Sequence, residues 1–410
     1  MTAWRSLNLG ECCQVFSGNA FQSALFTDSE DAIALVKGEN VSQGRILWDI
    51  AKRWPIDAAV GLDRYRLHTD DVVLAMDRPW IPAGLKFSKI RASDPESLLV
   101  QRVARLRAFD GFSQRFLFYV IADAAFAEYI KSACRGVTVP HISASQICAY
   151  RLRVPRLAEQ ERIARFLSSY DDLIDNNCRR MALLERAARE LYHEWFIRLR
   201  FPGHERVRRV DGLPEGWEHR PLGACAKFQS GGTPSKARAD FWDGDIPWVS
   251  SGELTEFRIR RTSLSVSPEG VADGSRMVPA ETILAVVRGM SLAKEFRIGL
   301  TSIPMSFNQD LKAIVATADV DTLMLFHSLD AQRDQIRDKA GEASHGTKKL
   351  DTAVLSEVQI TVPPFSVQQA FRSYVQPMHA QWDILEQQNV KLRVARDLLL
   401  PRLMNGSITP

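Results

Sequence analysis

Cysteine is scarce and unpatterned in this chain. Its six cysteines, Cys12, Cys13, Cys134, Cys148, Cys178 and Cys225, make no Cys-x-x-Cys pair and no metal-ligand spacing with histidine. Neither a disulfide framework nor a zinc site is suggested, and a reducing cytoplasm is the expected compartment. The phosphate-binding GxxxxGK[ST] loop is missing, as are a GxSxG elbow and an HExxH helix, which removes three common enzyme signatures. Long apolar runs are missing too. The most apolar stretch, Phe116 to Ile130, is cut by Asp123 and Glu128, too soon for a membrane span, and the first residues lack a basic-then-apolar signal. Strong charge bias is also absent: the net charge of +4 and pI near 8.7 permit nucleic acid as a partner without demanding it.

What is present is a helical repeat. From Pro155 to Pro202, apolar residues recur at seven-residue spacing, with Leu167, Ile174, Met181, Ala188 and Trp195 in one series. Ile163, Tyr170, Asn177, Leu184 and Leu191 form the other. This is a coiled-coil seam with one polar interruption, Asn177. At about 1.5 Å per residue it makes a rod of roughly 48 Å, which needs a partner. The run from Pro363 supplies one, with Phe371, Met378, Leu385, Leu392 and Leu399 in one series and Val375, Trp382, Asn389, Arg396 and Leu403 in the other. An antiparallel register with Ile163 opposite Leu403 sets Leu167 against Leu399, Ile174 against Leu392, Leu184 against Trp382 and Met181 against Leu385. Asn177 then meets Asn389, so neither amide is buried against an apolar residue, a mismatch worth roughly 1–3 kcal/mol apiece. Arg396 falls opposite Tyr170. Asp171, Asp172 and Asp175 read as the wet face of the rod.

The repeat extends beyond the helices. Val154-Pro155 and Gln160 recur 208 positions on as Val362-Pro363 and Gln368. Trp4, Leu9-Gly10 and Ser17-Gly18 recur 213 positions on, at Trp217, Leu222-Gly223 and Ser230-Gly231, and Val73–Arg78 matches Ile283–Arg288 at 210. Offsets that drift while order holds are those of a duplication with loop insertions. The expected class is α+β: two mixed α/β domains separated by a long intramolecular antiparallel coiled coil, with a pseudo-twofold internal repeat. The expected boundaries are 1–152 for the first domain, 153–205 for the central spacer helix, 206–360 for the second domain and 361–410 for the C-terminal spacer helix. Phe116 to Ile130 and Thr322 to Arg337 are expected to be helices closing each domain, and Val207 to Trp217 a linker.

Two domains held apart by a rod suit the reading of two short stretches of duplex DNA at a fixed distance. Arg78 and Arg288, at matching strand ends, could each take guanine O6 and N7 with both forks, or equally pair with an internal carboxylate. The loops containing Arg135 and Thr138, and His345, Thr347, Lys348 and Lys349, sit at matching places just before the last strand of each domain, where small basic residues suit a phosphate backbone. Lys236 follows Ser230-Gly-Gly-Thr-Pro, which reads as a tight turn rather than a phosphate cradle. Val362-Pro363-Pro364-Phe365 imitates an amino-methyltransferase motif, but valine cannot accept the hydrogen bonds its first position must.

EQERIARFLSSYDDLIDNN, ELYHEWFIRLRFPGHE, LPEGWEHRPLG, GGTPSKARADFWDGDIPWVS and SFNQDLKAIV together closely resemble the DNA-specificity (S) subunit of type I restriction-modification systems, in order along the whole chain. Ser17 to Ser23, SGNAFQS, stands where the second domain has its GGTP motif, so the first domain resembles a different subtype. The resemblance implies a non-catalytic subunit of phage defence that holds no cofactor itself. It implies double-stranded DNA as ligand, two methyltransferase (M) subunits that bind S-adenosylmethionine, and restriction (R) subunits that use ATP and magnesium. Each target recognition domain would read one half of a bipartite site, with the helices setting the unread spacer. The alternatives are the specificity subunit of a related system that cuts on both sides of its site, and a coiled-coil scaffold that binds only protein.

Overall fold

A computed structural model of the chain describes residues 4–134, 140–342 and 347–410. The chain divides into two compact units, Met1–Ile174 with Val390–Pro410, and Asp175–Asn389.

In the first unit an antiparallel sheet runs in the order 87–89, 72–75, 103–108, 13–17. Alternation of side chains sorts its two faces. Val72, Leu74, Met76, Ala104 and Leu106 pack on the helices Gln114–Ala122 and Ala124–Ala133, while Val73 and Val103 pack with Val36, Ile90 and Leu99 on the other side. A strand covered on both faces reads as an unbroken apolar run, which Val72–Met76 is. The closing helix expected over Phe116–Ile130 is two helices. Asp123 leaves the helical region (φ −66°, ψ 138°) and caps the second by accepting from the Ala125 amide at 3.2 Å. Arg5–Asn8 pairs antiparallel with Arg151–Val154, so the start of the domain is zipped to the strand that feeds the central helix.

The second unit repeats the plan. Its five-stranded sheet runs 226–230, 311–316, 283–286, 298–301, 258–259. Ile283, Ala285, Val287 and Ile314 face the helices, and Leu284, Val286, Leu311 and Ala313 face Val249 and Phe307 of a second sheet. The closing segment is again two helices, Thr322–Ala331 and Arg333–Asp338. Glu218–Pro221 zips to Gln359–Val362 as its counterpart does in the first unit. Within the expected linker, Arg209–Val210 and Leu213–Pro214 form a small hairpin whose turn residues Asp211 (φ 49°) and Gly212 (φ 84°) have the signs of a type I′ turn.

Strand register corrects one expectation. Ser17 stands opposite Ala104 and Ala104 opposite Leu74; Ser230 stands opposite Lys312 and Lys312 opposite Ala285. Leu74 therefore corresponds to Ala285, one residue away from the match made on sequence letters. Arg288 corresponds to Asp77, and Arg78 to Gly289. Both strands are apolar throughout, so no alternation was available to set the register, and a one-residue slip exchanges the faces.

Matched glutamines tie each domain to its helix. Gln160 accepts from the Ser113 amide (2.9 Å) and donates to the Pro155 carbonyl (3.0 Å); Gln368 accepts from the Asp321 amide (2.7 Å) and donates to the Pro363 carbonyl (2.9 Å). The central helix spans Leu157–Tyr192 and continues as a wider-wound turn, His193–Ile197. The C-terminal helix spans Phe365–Met404 and runs through Pro377, although an interior proline removes a backbone hydrogen bond. In the first unit Ile163 and Leu167 pack with Leu399, Leu400 and Leu403. Ile174 is buried there and Leu392 half-buried. In the second, Met181 and Leu184 pack with Trp382 and Leu385, Asn177 donates to Asn389 at 3.0 Å, and the Trp195 and Phe371 rings lie 5.8 Å apart.

Two polar expectations on the helices are overturned. Arg396 does not rest on Tyr170; it donates to Asp171 at 2.6 Å, because a carboxylate satisfies a half-buried guanidinium better than a ring does. Asp171 is accordingly no part of a wet face. Its other oxygen accepts from the Tyr119 hydroxyl at 2.6 Å, and burial, reinforced by this carboxylate, pushes the Tyr119 phenol pKa upward.

Candidate nucleic-acid interface

The second unit carries a small three-stranded ribbon of Arg288–Gly289, Lys348–Lys349 and Gly341–Glu342. Arg288 stands opposite Lys349 and Gly289 opposite Lys348. Gly289, at φ 141°, makes a bend that a residue with a side chain would resist. Three cations from segments some sixty residues apart in sequence thus share one ribbon. Arg288 is exposed and, among the described residues, enters no ion pair, so the internal-carboxylate alternative does not hold for it. Lys349 pairs with Asp351. Lys348 lies 3.6 Å from Glu342, an exposed pair that water screens. Thr347 is half-buried at the edge of the same ribbon.

In the first unit Arg78 is exposed, sits at φ 42°, donates its amide to the Pro140 carbonyl at 2.8 Å and makes no ion pair among the described residues. Arg135 and Thr138 lie outside the described residues, as does His345. The residue that corresponds to Arg288 is Asp77, which bridges to His141 as Arg288 does to Lys349. Asp77 takes a hydrogen bond from Arg102 at 2.7 Å and pairs with His141. Sequence reading missed this trio, since its members are brought together only by strand register. Neither loop runs directly into the last strand of its domain. A short helix, Ala144–Cys148 or Thr352–Ser356, intervenes in each case.

Lys236 is exposed, in a separate loop. The glycines before it do not make a tight turn. A Cβ on Gly231 would come within 2.2 Å of the Phe307 carbonyl oxygen, and one on Gly232 within 1.7 Å of that of Gly274, so both serve close backbone packing. The segment is pinned by Trp248 Nε1, which donates to the Gly232 carbonyl at 3.0 Å, and by Thr233, whose hydroxyl donates to Gln309 at 2.6 Å. Gly18 packs in the same way against the Val100 carbonyl, 2.3 Å from the Cβ it lacks. At the end of the central helix, Arg198 and Arg200 are engaged by Glu194. Among the described residues no cluster of three or more His, Cys, Asp or Glu is placed to hold a metal ion, and no helix is long and apolar enough to cross a membrane.

Comparison with known proteins adds the following. The family model described as the type I restriction modification DNA specificity domain matches twice, over residues 1–186 and 214–393. The MjaIX specificity subunit of a type I restriction enzyme from Methanocaldococcus jannaschii is 27% identical over 308 residues, covering 73% of this chain and 70% of that one. The HindI specificity subunit from Haemophilus influenzae is 23% identical over 360 residues, covering 72% and 77%. Among solved structures, the type I restriction-modification S subunit from M. genitalium shares the fold with a TM-score of 0.58 at 17% identity, covering 98% of this chain and 96% of that one.

Proposed function

Because this chain belongs to the type I restriction-modification DNA specificity family, in which its relatives are specificity subunits rather than catalytic ones, we propose that it selects a bipartite duplex DNA site, one half read by each repeat. In this reading residues 1–152 and 206–360 are the target recognition domains, and residues 153–205 and 361–410 form an antiparallel coiled coil that sets the unread spacer. The Asn177–Asn389 hydrogen bond supports that register, since it pairs the only seam amide of each helix. The observation that carries the reading is the cationic ribbon of Arg288, Lys348 and Lys349, whose arginine enters no ion pair among the described residues. An exposed arginine fork flanked by lysines is suited to a base edge beside a phosphate backbone. Arg78 and Lys236 are assigned to DNA contact on their exposure, and Arg135, Thr138 and Thr347 on their place in the sequence alone.

The chain would act with two methyltransferase subunits that bind S-adenosylmethionine and with restriction subunits that use ATP and magnesium, while holding no cofactor of its own. Methylome sequencing of a host carrying this gene and its neighbours, with and without the gene, tests the reading. A split methylated motif that disappears with the gene is expected; a methylome unchanged by its loss overturns the assignment.

A further inference from the structure

We propose that Arg258, His327 and His379 are positioning residues that fix how the second recognition domain sits on the C-terminal helix, through a hydrogen-bonded chain that closes only while both imidazoles are neutral. From the functional reading the proposal takes only that this unit is a recognition domain.

The chain begins on the helix. Asp383 accepts from Arg258 Nε at 3.0 Å and Nη2 at 2.5 Å, and from the Ser302 hydroxyl at 2.5 Å. Arg258, on an edge strand of the large sheet, is 4% exposed. Its Nη1 lies 3.1 Å from His379 Nδ1, and His379 Nε2 lies 3.1 Å from His327 Nε2. A guanidinium can only donate, so His379 Nδ1 must accept. Neutral His379 then carries its proton on Nε2 and donates it to His327 Nε2. The His327 proton is thereby placed on Nδ1, a buried atom with no hydrogen-bond partner among the described residues. Arg258 thus dictates the tautomer of both rings. A second proton on His379 would point at the guanidinium, and one on His327 would point at the His379 N–H. Either breaks the chain.

Among the described residues no neighbouring acid is left unpaired to welcome that proton. From the central helix Arg189 faces the pair, and the Tyr192 hydroxyl is bonded to Ser328. From the helix bearing His327 comes Asp330, held by Arg189 at 2.7 Å and Arg333 at 2.6 Å. From the C-terminal helix come Asp383 and Arg372, the latter held by Asp321 at 3.0 Å and Glu281 at 2.6 Å. The sheet contributes Arg258. Phe257, Phe326 and Phe371 enclose the rings. Burial holds His327 down to about 4, and burial with His327 and Arg258 as neighbours holds His379 well below its ordinary range. The corresponding pair 208 positions earlier, Tyr119 and Asp171, bridges the first domain to its helix without a histidine.

The sign follows from the depressed values. A histidine whose folded pKa lies below the ordinary value of about 6.5 contributes stability above that pH and loses it as pH falls toward the folded value. Between pH 7.5 and 5.5, opening of the seat should become about ten-fold more favourable for each histidine it releases to water.

The test uses the full-length chain and no DNA, so it fails or succeeds independently of the functional reading. Proton NMR titration of the ring signals should leave His327 and His379 neutral down to about pH 5; either ring titrating near 6.5 in the folded chain overturns the proposal. Hydrogen exchange over 254–262 and 298–302, corrected for the intrinsic pH dependence of exchange, should show seat opening rise at least ten-fold from pH 7.5 to 5.5, while the segments around Tyr119 and Asp171 stay unchanged. His379→Gln retains an acceptor toward Arg258 and a donor toward His327, and should keep the seat closed while cutting the acid response by the roughly ten-fold share of one histidine. The double variant His327→Tyr/His379→Asp, which installs the first domain's pair, should keep the seat closed and remove the acid response altogether. An acid response that persists undiminished in His379→Gln would show that the histidines merely fill space.

Discussion

At corresponding positions in the two halves, Tyr119 donates to Asp171, whereas His379 donates to His327. The first bridge is completed by Arg396, which the C-terminal helix supplies, and the second by Arg258, which the domain's own sheet supplies. Around these bridges the glutamine ties at Gln160 and Gln368 are the same. The backbone frame therefore tolerates a complete change of the side chains that cross from domain to helix, provided both partners change together. An exchanged domain must arrive with a bridging residue that suits the helix already present: a tyrosine for Asp171, a histidine for His379.

The buried apolar residue at the start of each helix differs as well. Phe371 is a ring packed against Tyr192, Trp195, Phe196 and His327, whereas its counterpart Ile163 is a smaller aliphatic side chain in the cluster that holds Leu167 and Leu403. Phe371→Ala should therefore cost about 3–5 kcal/mol and Ile163→Ala about 2–5 kcal/mol, each in its own unit. Urea unfolding followed by exchange at the separate units checks this, and equal losses in both units from either substitution would break the comparison. A smaller effect is expected at the junction of the seams. Asn389→Leu leaves the Asn177 amide without its partner and should cost roughly 1–3 kcal/mol, much of which returns in the double variant Asn177→Leu/Asn389→Leu. A double-mutant cycle with no coupling would show that the hydrogen bond does not set the register.

The helices and the Asn177–Asn389 contact were legible in the sequence because a seven-residue apolar period is a long signal, and a single asparagine on each seam leaves few registers that satisfy both. The strand match was not. Val72–Met76 and Ile283–Val287 are all apolar, so letters alone placed Arg78 with Arg288, where the ladder places Asp77. The partnership of Arg288 with Lys349 was equally hidden, since nothing local to either residue encodes the other. One signal was available: at the spacing of 208 that relates Gln160 to Gln368, Phe118 recurs as Phe326, and the next residue is Tyr119 in one half and His327 in the other; both are the domain's bridge to its helix.

The central claim is that each repeat reads its own half of a split DNA site, the second through its cationic ribbon. The most direct measurement is the methylated motif, and the affinity for each half of it, produced by the complete complex carrying Arg288→Ala. A loss of about 1–3 kcal/mol in specific binding is expected, with relaxed preference confined to one half-site and the other half unchanged. Undiminished preference at both halves, or relaxation of both together, would contradict it.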